Sequence, residues 1–139
     1  MLVDAARLYR ARIDQAFEQA GLGITAGEAR TLAHVNINPG LRQTALAVRM
    51  NVEPMTLVGF LDRLEAQGLV VRDTDPTDRR AKIIRLTEAA APLLERVNAA
   101  AAIAREEALK GLGETERDAF RMALTLIRKN LCQTTKADA

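Results

Sequence analysis

The chain has 139 residues, 48% of them hydrophobic and 27% charged, with 20 basic against 18 acidic side chains, 8 Gly, 4 Pro, one Cys and one His. That is the profile of a single globular domain, and one thiol with one imidazole leaves next to nothing for a disulfide framework, a metal site or a Ser/His/Asp triad, so neither an enzyme nor a cofactor is expected. No stretch approaches the roughly 18 consecutive apolar residues of a membrane span, and Met1 to Arg12 is amphipathic and charged, which reads as a cytoplasmic protein without a membrane partner.

Aromatic residues make up only 3% of the chain, so the core must be built from Leu, Ile, Val, Ala and Met, a composition that favours helices. A first helix is expected over 3–20, with Val3, Ala6, Leu8, Ala11, Ile13, Ala16 and Phe17 at helical spacing and Gly21 and Gly23 as its stop. Thr25 and Glu28 have the spacing of a capping box, opening a second helix that runs to about Asn36, where Asn38-Pro39-Gly40 breaks it. Gln43 to Met50 reads as a short helix. Asn51-Val52-Glu53 turns the chain, and Pro54 starts a fourth helix reaching about Gln67, with Gly68 as its cap. Leu57, Phe60, Leu61 and Leu64 fall on one side of that helix, and Met55, Thr56, Gly59, Asp62, Arg63 and Ala66 on the other.

Leu69 to Arg72 and Ile83 to Leu86 read as the strands of a hairpin turning at Asp75-Pro76-Thr77-Asp78. Thr87 is placed to cap a long helix over 88–110, with Pro92 bending its first turn; Gly111-Leu112-Gly113 ends it, Glu114 to Leu131 forms the last helix, and the polar tail from Gln133 frays.

The basic excess is local. Residues 41–86 carry eight cations against six carboxylates, while the segments on either side are neutral. Arg79, Arg80, Lys82 and Arg85 place four cations within seven residues, a density suited to phosphate contact, although a solvated turn accounts for such a cluster equally simply. The order of elements decides between these. Two short helices joined by a tight turn, followed at once by a basic hairpin, form a winged helix-turn-helix, with the second helix in a major groove and the hairpin beside it. The fold class is therefore mainly α with one β-hairpin, its DNA-binding part over 25–86. The helices at 1–20 and 88–131 form a dimerisation region within one domain spanning 1–139.

Glu53-Pro54-Met55-Thr56-Leu57-Val58, Leu61-Asp62-Arg63-Leu64-Glu65, Gly68-Leu69-Val70, Asp78-Arg79-Arg80-Ala81-Lys82 and Leu86-Thr87-Glu88 together resemble the MarR family of bacterial transcriptional regulators, within it the SlyA-like branch. The resemblance implies a homodimer with interlocked N- and C-terminal helices, a palindromic double-stranded DNA operator, and release by a small aromatic acid or phenol. Arg79, Arg80 and Lys82 are the wing candidates, because a guanidinium enters a narrow minor groove or forks onto a phosphate. Asp78 is expected to orient an arginine. Pro54, Met55, Thr56 and Arg63 are the recognition-helix candidates, and Gln43 and Thr44 are placed to donate to phosphate. Tyr9, Arg12 and His34 are the candidates for meeting an effector. Cys132 is expected to be inert.

The chain departs from the SlyA-like pattern at Gly59, where relatives usually carry an arginine. Glycine there removes a guanidinium and weakens the helix by about 1 kcal/mol relative to alanine. Replacing Gly59 with Arg is on this reading expected to tighten DNA binding. The same glycine supports a rival reading: a protein-interaction dimer of this fold with weak or lost operator recognition.

Overall fold

The structure, a computed structural model, describes the backbone of residues 1–137 and the side chains of residues 1–134. The elements run α1 (Leu2–Gln19), α2 (Ala26–Ile37), α3 (Gln43–Met50), α4 (Pro54–Ala66), β1 (Val70–Asp75), β2 (Asp78–Leu86), a 3₁₀ turn (Glu88–Ala90), α5 (Ala91–Ala108) and α6 (Glu114–Ala137). This is the mainly helical winged helix-turn-helix expected from the sequence, with β1 and β2 as an antiparallel wing. The chain divides into two compact units, Met1–Arg105 and Glu106–Ala139.

Local chemistry places most boundaries in the first unit. The Thr25 hydroxyl accepts from the Glu28 amide at 3.2 Å while Glu28 accepts from the Thr25 amide at 2.7 Å, a complete capping box that fixes where α2 starts. Asn51 closes α3 in the left-handed region (φ 52), a conformation asparagine tolerates better than most residues. Pro54 opens α4 in the first turn, where its missing N–H is least costly, and Gly68 follows it at φ 73.

Two apolar clusters hold this unit together. Leu32 and Val35 of α2, Leu46 and Met50 of α3, Leu57, Leu61 and Leu64 of α4, and Val70 and Ile84 of the wing form one. Ala16 and Phe17 of α1, Leu22, Ala29 of α2, and Val97, Ala100 and Ala104 of α5 form the other. α2 contributes to both clusters, so its position sets where α4 lies. Gly27 governs that crossing: a Cβ there would collide with the Phe60 ring of α4.

Three local expectations are corrected. Thr87 does not cap the following helix with its side chain; its hydroxyl donates to the Gly68 carbonyl at 2.6 Å, joining the end of the wing to the end of α4. The bend near Pro92 is a 3₁₀ turn ahead of α5, and Pro92 itself sits in the first helical turn, where it removes no intrahelical hydrogen bond. α6 continues through Gln133 to Ala137, six residues beyond Leu131, because the polar residues Gln133 to Lys136 include no Gly or Pro to stop it. The last two residues of that tail lie outside the described residues.

The glycines of α2 and α4 have opposite expected effects. Gly27→Ala drives a methyl into Phe60 and destabilises the protein by about 1–3 kcal/mol. Gly59→Ala meets only the Arg63 guanidinium, at 3.5 Å, and raises stability by about 1 kcal/mol through helix propensity. Urea denaturation of the two variants measures both signs.

Candidate nucleic-acid interface

The wing is longer than the sequence suggests and irregular at its tip. Its ladder pairs Val70 with Leu86 through Thr74 with Lys82, then jumps to Asp75 with Asp78. Arg79, Arg80 and Ala81 therefore have no residue opposite them, and the bulge puts both arginines outside the regular pairing. The Arg80 side chain is 93% exposed.

Asp75 organises this tip. One carboxylate oxygen accepts from the Thr77 amide at 2.8 Å and the Thr77 hydroxyl at 2.7 Å; the other accepts from Arg42 Nε at 2.6 Å. The Thr77 amide and hydroxyl, outweighing a modest opposing effect of burial and reinforced by Arg42, lower the Asp75 pKa from 3.8 to about 2. Arg42 immediately precedes α3 and also bridges to Ile83, while the Leu41 carbonyl accepts from the Ile84 amide at 3.3 Å. The segment before α3 thus lies along β2. Gln43 and Thr44, in the first turn of α3, are carried next to the wing by this connection. No local pattern marks Arg42 as a strut, because its partner lies 33 residues downstream.

Five of the eight cations of residues 41–86 are held by carboxylates, four by carboxylates of the same segment and one by Glu28 of α2. Arg72 spans Asp62 and Glu65 of α4 at 2.7 and 3.0 Å, tying β1 to the recognition helix. Arg85 pairs with Asp73 at 3.1 Å, and Arg63 with Glu28 at 2.8 Å. Asp78 accepts from the Arg80 amide at 3.0 Å and stands 3.5 Å from its guanidinium, the orienting role expected of it. Lys82 donates to the Thr74 hydroxyl at 2.9 Å and lies within electrostatic reach of Glu65 without forming an ion pair. Among the described residues of this segment Arg49, Arg79 and Lys82 form no ion pair, so the least compensated charge lies on the wing and the exposed side of α3.

On α4, Pro54, Met55 and Thr56 are exposed, with Met55 at 77%, and Leu57, Leu61 and Leu64 are buried as their spacing requires. Arg63 is exposed at its tip but not free, since Glu28 holds its Nε.

The effector candidates do not share one cavity. Arg12 lines a cavity of about 300 Å³ between α1 and α5, with Ala16, Gln19, Arg96, Ala100 and Ile103. Tyr9 is on the exposed side of α1 and lines no part of it. His34, half-buried on α2, stands among Arg10, Arg30 and Arg49; burial first, then those three charges, push its pKa below 6.5. The folded chain therefore favours neutral imidazole, and the unfolded chain takes up the proton first as pH falls. This contribution to stability is complete above 6.5 and declines below it. Denaturation midpoints compared at about pH 7.5 and about pH 5.5 should fall for the wild type, with a smaller fall for His34→Asn.

Residues 24–82 match the model of the MarR family. A Thauera aromatica protein named as a candidate transcriptional regulator of the hcr operon is 38% identical over 95 residues, which is 68% of this chain; the chain spans 57% of that relative's length. A MarR-family transcriptional regulator from Silicibacter pomeroyi superposes with a TM-score of 0.79 at 28% identity, over 93% of this chain and 86% of that one. CouR from Rhodococcus jostii RHA1, solved bound to p-coumaroyl-CoA, superposes with a TM-score of 0.72 at 28% identity, over 91% and 87% of the two chains. The bulged basic wing, the helix-turn-helix that Arg42 and Arg72 tie to it, and these likenesses place the chain in the MarR family.

Proposed function

We propose that the chain is a transcriptional regulator that binds a palindromic DNA operator as a homodimer. The observation that carries this reading is the distribution of unpaired charge. Carboxylates neutralise the cations that join helices to strands, and leave Arg79 and Lys82 without an ion pair and Arg80 loosely held, the two arginines at the bulge and Lys82 in the ladder next to it. In this arrangement Arg79, Arg80 and Lys82 take phosphates or the minor groove. Gln43 and Thr44 donate to phosphate beside the wing, and Pro54, Met55, Thr56 and Arg63 enter the major groove.

Self-association follows from α6. Phe120, Leu124, Ile127 and Leu131 recur at helical spacing and are all exposed in the single chain, as are Leu2, Val3 and Leu8 of α1. A second copy covering these faces is the occupant that a palindrome requires, since two recognition helices must reach major grooves one helical turn apart.

The effector we assign is a small aromatic or phenolic acid. CouR's ligand carries a phenolic acyl group, and the cavity at Arg12 combines a guanidinium with apolar walls of Ala16, Ala100 and Ile103, suited to a carboxylate on an aromatic ring.

Binding to duplex DNA measured across a salt series tests the wing. Replacing Arg79, Arg80 or Lys82 by Ala should make the slope of log K against log salt shallower by about 0.9 for each phosphate that the removed cation neutralised. An unchanged slope in all three variants removes the wing from the interface. Sedimentation should give a mass near twice 15.2 kDa for the wild type, falling to one chain when Leu124 and Ile127 are both replaced by Arg.

A further inference from the structure

Arg63 has an unusual seat. Its Nε donates to Oε1 of Glu28 at 2.8 Å, and the Glu28 side chain is only 3% exposed. The other oxygen of that carboxylate accepts from the Thr25 amide, so the group cannot swing without breaking the cap of α2. Held at Nε, the guanidinium reaches back one turn of α4: its Nη1 and Nη2 lie 3.5 and 4.0 Å from where a Cβ of Gly59 would be. Its Cζ stands 5.7 Å from the centre of the Phe60 ring, the same ring that Gly27 of α2 accommodates. Three features from two helices thus fix one long side chain on the outward side of α4.

We propose that Glu28 is the positioning residue for Arg63 and that Gly59 is the gap that receives its guanidinium, so that Arg63 reads a guanine of the bound duplex from above Gly59. This rests on the DNA-binding reading given above. A carboxylate bound at Nε leaves both Nη groups as a donor pair, and two parallel N–H donors match the O6 and N7 acceptors of guanine in the major groove. Burial alone favours the protonated acid, but the Thr25 amide, Arg63 and the Thr25 hydroxyl outweigh it and leave the Glu28 pKa lowered, so the partner is charged at neutral pH. Glycine at position 59 accordingly takes on a different meaning. An arginine placed there would oppose a guanidinium already present, and Gly59→Arg is expected to weaken selectivity.

Glu28→Gln separates positioning from folding. The glutamine oxygen still accepts from the Thr25 amide, preserving the capping box, while its NH₂ faces the Arg63 N–H and breaks the tie. Gly59→Leu is the second variant: leucine strengthens a helix relative to glycine, so a defect cannot come from unfolding of α4. The probes are a duplex enriched by the wild-type protein from a randomised pool and an unselected duplex of equal length, titrated at one salt concentration. Glu28→Gln, Gly59→Leu and Arg63→Lys should each lower the ratio of the two affinities about tenfold, the discrimination expected of one bidentate arginine. The Arg63 Nε–H resonance should lose its carboxylate-bonded shift in Glu28→Gln. Retention of the ratio in Glu28→Gln or in Gly59→Leu overturns the positioning role while leaving the DNA reading intact. If the wild-type protein enriches no duplex, the DNA reading fails and this inference with it.

Discussion

The Glu28 carboxylate, buried in the first turn of α2, is the constraint on which the winged helix-turn-helix half of the chain depends. It is charged where burial penalises charge, and stays so because an amide and a guanidinium meet its two oxygens. Truncating it would strand the Arg63 guanidinium and open the start of α2 together. The contact also lies beside the tightest approach in the fold, Gly27 against Phe60, where absence of a side chain lets α4 sit close enough for Arg63 to reach back to α2. Apolar packing of Leu57, Leu61 and Leu64 gives α4 its affinity for the core. It is non-directional, however, and the polar tie supplies the rotational setting that packing leaves loose.

The same logic extends to the wing. A two-stranded hairpin is marginal by itself, so it must take rigidity from its neighbours. Arg72 connects it to α4, Arg42 to the start of α3, and the Thr87 hydroxyl to the end of α4. Each of these partners is exposed on at least one side, and surface ion pairs individually contribute little. Their combined effect is geometric: β1, β2 and the segment before α3 are all tied, directly or through one another, to α4. The cations engaged in this task are held in ion pairs, and those of residues 41–86 without one are Arg79 at the bulge, Lys82 beside it and Arg49 on α3. A local sequence count of eight cations against six carboxylates understates this separation, because it does not show which of them are matched.

What the sequence makes legible is whatever is encoded within one turn or one strand. The Thr25–Glu28 box, Pro54 at the start of α4, Gly68 after it and the apolar stripe of Leu57, Leu61 and Leu64 are all short-range patterns, and the helices stand where those patterns put them. The wing tip is harder to read. Isoleucines 83 and 84 mark the end of β2 clearly, but Asp78, Arg79 and Arg80 have low strand propensity, and the bulge depends on the Asp75–Thr77 turn together with Arg42. The angle of Arg63 on its helix identifies it as an outward-facing cation. Its pairing with Glu28 has no such signal, because a capping glutamate looks the same in sequence whether or not its second oxygen is engaged 35 residues away. Tyr9, Arg12 and His34 share only a residue chemistry suited to an aromatic acid, and the fold distributes them to different surroundings.

α6 presents the opposite balance from α4. Running from Glu114 to Ala137, it has no buried residue among those described, although Phe120, Leu124, Ile127 and Leu131 repeat along one side. Its local contacts are polar: Arg117 meets Glu106 at 2.9 Å and the carbonyl of Leu112 at 3.0 Å, fixing the turn between α5 and α6. Such contacts define where the helix begins, yet most helical stability in proteins comes from burying an apolar face. A helix this long with its apolar side in water would therefore draw its stability from association, and folding of this unit would be linked to chain concentration. The winged half of the molecule is thus organised within a single chain by Glu28, Arg42 and Arg72, whereas α6 would take its order from association.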